Sequence, residues 1–311
     1  MDMSTSELVD VGLDAMSADP AELPAAMSAR ILGAAQATGR PARHSGWATD
    51  DGQLTSHATF ITTVAELSQL LSTLAPADWM QPTEVAGGMS VRDLVLHLVG
   101  VERYLLGQLG RADTIDAPTV EHHFPVLHAA ASADLGGADA PAVARAWWLA
   151  AMDLVAATAE IGPDQAVTYH DLAGSVGGML VIRTFEVWTH DDDIRRAVGL
   201  PLNVLDDARL SLMSSTLMGV LPYGLARAGT VQAGRTVRFD LTGPGGGAAF
   251  VASLSPDEPP GDPDLVIETS ALDLCRLASN RMSIDDIDVR IDGDRSLLRP
   301  VLVGAGAFAM D

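Results

Sequence analysis

Between residues 54 and 199 the apolar positions recur at steps of three and four, the spacing of helices with a buried face. The pattern predicts helices over 55–74, 90–109, about 141–161 and 175–199. Ser90 and Asp93 have the Ser-x-x-Asp form of a capping box at the start of the second. Pro141 suits the first turn of the third, and Gly199 followed by Pro201 is a C-terminal stop for the fourth. Four amphipathic segments of this length make a four-helix bundle the economical arrangement. The connection 111–140 is long for a bundle, which marks it as functional or mobile. Its His122, His123 and His128 read individually as surface histidines, able to act as a base only if the loop folds over the bundle.

After Pro201 the period changes. Residues 236–241 and 248–254 alternate around a Gly-rich turn and predict a hairpin. Strands are predicted at 265–269 and 287–291, and helices at 205–226, 271–279 and 296–302. The fold class is therefore α+β: a helical bundle over 54–200, then a small α+β domain over 201–311. Residues 1–53 read as an N-terminal arm, with a helix over 20–38 that places Leu23, Met27, Ile31 and Leu32 on one face.

Composition narrows the chemistry. The chain has 311 residues, 48% hydrophobic, enough for a real core. Its net charge of −22 disfavours nucleic acid and anionic lipid as partners. All 19 basic residues are Arg, so Schiff-base and phosphate-loop lysines are excluded. The single cysteine, Cys275, excludes an intrachain disulfide and a thiolate metal cluster. The N-terminus shows no secretory signal, and the longest uncharged stretch, 210–226, holds three serines and Pro222. A soluble, cytoplasmic protein is expected.

The fourth helix carries the candidate site. Glu186 and His190 lie one turn apart on one face, and Met179, Ile182 or Arg183, Asp193 and Ala197 continue the stripe. Leu180, Val181, Phe185, Val187 and Trp188 surround it with apolar side chains, so Glu186 is expected in low dielectric. Two arrangements meet that cost: a salt bridge to Arg183, or a divalent cation held by Glu186 and His190. His97 points inward from the second helix. Two imidazoles and one carboxylate make three ligands with an open position, a catalytic arrangement.

These segments resemble a known family. Ser90 to Tyr104, with His97, resembles the second helix of DinB-like bundles of the mycothiol-dependent maleylpyruvate isomerase group. The run from Arg183 through Glu186 and His190 to Asp193 is similar to that group's Arg-x-x-Glu-x-x-x-His-x-x-Asp helix. The stretch from Asp264 to Asp294 resembles its sterol-carrier-like second domain. The resemblance implies an actinobacterial, divalent-metal enzyme, with zinc held by His97, Glu186 and His190. It sets Asp193 and Arg183 around those ligands, with one solvated member of the 191–193 acidic run as the plainer reading of Asp193. It also implies an arginine of the second domain at the substrate, for which Arg238 or its neighbour Arg235 is the candidate.

The implied chemistry uses mycothiol, a low-molecular-weight thiol, as cosubstrate. The thiolate adds to the cis double bond of maleylpyruvate, the new single bond rotates, and elimination leaves the trans isomer. Related bundles are similar to thiol S-transferases, so the expected function is isomerase or S-transferase on a small, anionic molecule. Two alternatives stand beside it: a non-catalytic binding or assembly module, for which the arm argues and which would show as a homodimer, and a hydrolase using metal-activated water. His57 is expected to be structural or exposed, His170 a turn residue or a group standing behind a metal ligand, and Trp147, Trp148 and the methionines of 213–218 packing residues.

Overall fold

A computed structural model describes residues 55–85, 87–170 and 172–308. The predicted arm, 1–53, lies outside the described residues. The chain divides into two compact units, one ending at Asn203 and the other beginning at Val204.

The first unit is built on α1 (Ser56–Thr73), α2 (Val91–Gln108), α3 (His123–Leu135), α4 (Ala140–Ile161) and α5 (Val176–Ala197). Local chemistry sets most of their starts. Thr55, Ser90, Asp139 and Ser175 each accept a backbone N–H three residues on, satisfying a donor that the first turn leaves orphaned. The core between the helices holds Phe60, Leu67, Leu94, Leu98, Trp147, Leu154 and Leu180, all buried. Trp148 is buried too, so both tryptophans pack as expected. α4 is long and apolar enough to cross a membrane, by length and composition only, but half of that stretch is packed inside this unit.

Two segments differ from the sequence expectation. The connection 111–140 contains a 3-10 turn, Val120–His122, and the thirteen-residue helix α3. Its lack of a clear amphipathic period hid that helix. Ahead of α5, β1 (Ala166–Tyr169) and β2 (Leu172–Ser175) form an antiparallel hairpin that the short run of mixed residues did not reveal. His170 sits at its turn with φ +53, a left-handed conformation costly for a side-chain-bearing residue. Its N–H donates to the Tyr104 hydroxyl at 2.9 Å, which helps hold that turn.

α3 lies close against α2 because Gly100 has no side chain. A Cβ there would stand 2.0 Å from the carbonyl oxygen of Leu127. The close approach is backbone to helix, so no rotamer change relieves it.

In the second unit, α6 (Asp207–Arg227) precedes a four-stranded sheet of order β4-β3-β5-β6. Its strands are β3 (Thr236–Thr242), β4 (Ala249–Ser253), β5 (Leu265–Ser270) and β6 (Arg290–Gly293). β3 pairs antiparallel with β4 and parallel with β5, and β5 pairs antiparallel with β6. Leu265, Ile267 and Thr269 alternate inward, the period-2 signature. The last strand runs later than the predicted 287–291. The last helix, α8 (Leu298–Ala305), follows a 3-10 turn and α7 (Ala271–Ala278).

Gly100→Ala is expected to lower stability by about 1–3 kcal/mol through overpacking of α2 against α3. The shift in urea midpoint measures it, and an unchanged midpoint would mean that α3 is not held there.

Candidate metal centre

The capped start of α2 sets the rotation that turns His97 into the bundle, where its side chain is fully buried. From α5, Glu186 and His190 approach it. One ligand atom from each of these three residues lies within 4.8 Å of the others. His97 Nε2 stands 3.2 Å from Glu186 Oε1. In a tetrahedral zinc site with bonds near 2.1 Å, ligand atoms sit about 3.4 Å apart. The set therefore fits a small divalent cation after sub-ångström to ångström adjustments.

Each of the α5 donors is oriented from behind. His190 Nδ1 lies 3.0 Å from Asp193 Oδ2, which leaves Nε2 as the free donor. Arg183 donates to Glu186 Oε2, leaving Oε1 toward His97. His97 differs: its Nδ1 has no hydrogen-bond partner among the described residues, and its ring is stacked on Phe124 at 4.2 Å.

Asp193 is thus buried and bonded to His190, and the solvated reading of the run does not hold. Asp191 and Asp192 are buried as well. Asp191 pairs with Arg195, and Asp192 Oδ1 accepts the Asn203 N–H at 2.8 Å.

The guanidinium of Arg183 is fully buried and bridges two acids, Glu186 and Glu102, the latter at 2.8 Å. The two arrangements weighed from sequence therefore coexist geometrically: Arg183 takes one oxygen of Glu186 and leaves the other. Burial pushes the Glu186 carboxyl up, but the Arg183 charge and His123 outweigh it and hold it well below the usual carboxylate range. Burial pushes His97 down to about 3, so its imidazole is neutral. A carboxylate and a neutral imidazole are the forms a cation requires.

Two members of this cluster were set aside in favour of plainer readings from the sequence. His123, read as a surface histidine, is buried at the start of α3, with Nε2 2.9 Å from Glu186 Oε1. His170, read as a turn residue, is indeed at a turn but is also buried, with Nε2 3.0 Å from His123 Nδ1. Tyr169 donates to Glu186 Oε2 at 3.3 Å, and burial beside that carboxylate keeps its phenol protonated. Of the three histidines in the 111–140 connection only His123 reaches the site; His122 bonds Thr119, and His128 lies near Ser132 and Asp93. His57 is structural, with Nε2 3.0 Å from Thr158 Oγ1. The signal for His123 was its position in an overlong connection, but no periodicity aimed it inward.

Residues 60–195 match the family described as Mycothiol maleylpyruvate isomerase N-terminal domain. The match lies within the helical unit and spans most of it. Two solved structures are similar over 75% of this chain and 91% of theirs. One is a crystal structure of the mycothiol-dependent maleylpyruvate isomerase, with TM-score 0.49 and 17% identity. The other is a mutant of that isomerase, with TM-score 0.47 and 16% identity. No curated protein matches the sequence. His97, Glu186 and His190 all lie within the matched isomerase N-terminal domain, on two of its helices.

The remaining sequence candidates lie in the second unit. Arg238 is on β3, exposed and paired with Asp240 at 2.7 Å. Arg235 pairs with Asp264 and Asp294. Cys275 is buried in α7, and burial pushes its thiol pKa up.

Glu102→Ala is expected to cost about 3–5 kcal/mol, because it removes one carboxylate from a guanidinium shut off from water. Urea unfolding measures it, and a loss below about 1 kcal/mol would show that Glu186 alone suffices. Cys275 is expected to stay unmodified by a thiol reagent in the native protein and to react fully after denaturation.

Proposed function

We propose that this protein is a divalent-metal, thiol-dependent enzyme, an isomerase or S-transferase that takes mycothiol as cosubstrate and acts on a small, anionic molecule. The observation that carries the reading is the convergence of His97, Glu186 and His190 with their orienting partners. The match of residues 60–195 to the mycothiol maleylpyruvate isomerase N-terminal domain supports the thiol part of it. The zinc-like donor set, two imidazoles and one carboxylate, supports the metal part. We place the protein in the cytoplasm, where low-molecular-weight thiols are kept reduced.

When bound, such a cation supplies positive charge that lowers the pKa of a thiol or polarises a substrate oxygen. The residues of the chain do the positioning. His97 and His190 offer nitrogen lone pairs, and Asp193 fixes which nitrogen of His190 carries the proton. Arg183 keeps Glu186 ionised and turns Oε1 toward His97. The nucleophile arrives with the cosubstrate, because the chain's one thiol is buried in the other unit. Arg238, exposed on β3, is the proposed contact for an anionic substrate.

Purified protein is expected to carry near-stoichiometric divalent metal, and His97→Ala to carry almost none, by elemental analysis. Equal and negligible metal in both would end the reading. Asp193→Asn is expected to weaken metal binding about 10–100-fold while leaving the fold intact. Mycothiol added to metal-loaded protein at about 100 times its dissociation constant is expected to add about 2.7 kcal/mol of stability, seen as a raised Tm. The same thiol without metal is expected to leave Tm unchanged.

A further inference from the structure

An arginine has no tautomer and no neutral form to assign, so heavy-atom positions alone say what the Arg183 guanidinium does. It lies fully buried between two acids, Glu102 on α2 and Glu186 on its own helix. Its Nη1 donates to Glu186 Oε2, and its Nη2 donates to Glu102 Oε1 at 2.8 Å. Its third nitrogen, Nε, is buried and has no partner among the described residues. Glu102 is fully buried as well.

A guanidinium beside a single carboxylate favours two parallel N–H···O bonds, one to each oxygen. Its planar shape offers two such forks: Nη1 with Nη2 at the end, and Nε with Nη2 along the side. Nη2 is common to both. Here Glu102 holds that nitrogen, and Arg183 reaches Glu186 through Nη1 alone. The Tyr169 hydroxyl goes to the same oxygen, 3.3 Å from Oε2. Oε1 is left for the histidine side, with His97 Nε2 at 3.2 Å. With Glu102 removed, nothing among the described residues engages Nη2, and a fork can close over both oxygens of Glu186.

We propose that Glu102 is a positioning residue of the metal centre: by occupying Nη2 it keeps Arg183 off Oε1 of Glu186, which stays available to the cation. This rests on the metal reading above and extends it to a residue that is not one of the three donors. α2 then has two parts in the site. His97 is a donor, and Glu102 restrains the guanidinium that would otherwise compete for the carboxylate.

Cobalt(II) binding to the full-length protein tests this, through its affinity and its visible absorption. Glu102→Met, close in length but without an acceptor, is expected to weaken cobalt binding about 10–100-fold, as loss of a group behind a ligand does. The same substitution in an Arg183→Lys background is expected to change it less than about 3-fold, because an ammonium is a point charge and cannot fork. A role in holding the fold alone would cost the same in both backgrounds. Two conservative variants decide the matter should Glu102→Met not fold. Glu102→Gln keeps the reach and an acceptor, whereas Glu102→Asp keeps the charge but falls one methylene short of Nη2. The Gln variant is expected to bind cobalt within about 3-fold of the unmutated protein, and the Asp variant about 10-fold more weakly. Unchanged affinity in Glu102→Met, an equal loss in both backgrounds, or binding by Glu102→Asp as tight as by Glu102→Gln would overturn the inference. If that binding still depends on His97, the metal reading stands. No cobalt binding to the unmutated protein would remove both.

Discussion

A guanidinium with no water around it is the constraint on which the helical unit depends. Arg183 is fully buried in the interior of α5, and a charge so placed is tolerated only when it is paired and hydrogen-bonded. Glu102 meets it from α2 and Glu186 from its own helix. The pairing thus ties two helices of the bundle together at one depth. It also decides the state of Glu186, because a carboxylate beside a fixed positive charge stays ionised where burial alone would neutralise it. The same interaction that holds α2 to α5 keeps that carboxylate charged.

Around that pairing the site is assembled from groups that each need a second partner. Asp193 settles His190, Arg183 settles Glu186, and His170 settles His123. His97 is placed by the stacked Phe124 ring and its position on α2 instead. Phe124 and His123 both belong to α3, so the helix that Gly100 admits against α2 contributes the stacking ring and one imidazole of the cluster. Backbone packing between α2 and α3 is in this way part of the site's chemistry.

The chemistry of the helical unit is concentrated on α5. Its sequence reads as buried almost all round, yet it contains Arg183, Glu186, His190 and the three aspartates of 191–193. Burying so many polar groups is stable only because each finds a partner, and some of those partners are remote in sequence. Glu102 is one. Asn203, which bonds Asp192 and Glu66, is another. A helix of this kind trades a simple apolar face for a fixed array of charges.

The sequence by itself determined what depends on neighbours along the chain. Capping residues, proline and glycine stops and the apolar period located the four long helices to within a few residues, and the i, i+4 spacing put Glu186 and His190 on one face. The inward direction of His97 followed from the same period. What depends on groups far apart in sequence was decided only by the tertiary structure. α3 has no clear amphipathic stripe, so nothing local revealed that it folds back and buries His123. The sequence left Asp193 between a place behind a ligand and one solvated member of the 191–193 run, because the atoms that compensate that run include a backbone amide eleven residues on. Helical period reports which side of a helix is apolar, not which distant polar atom will meet a charge there, as Glu102 meets Arg183 and His170 meets His123.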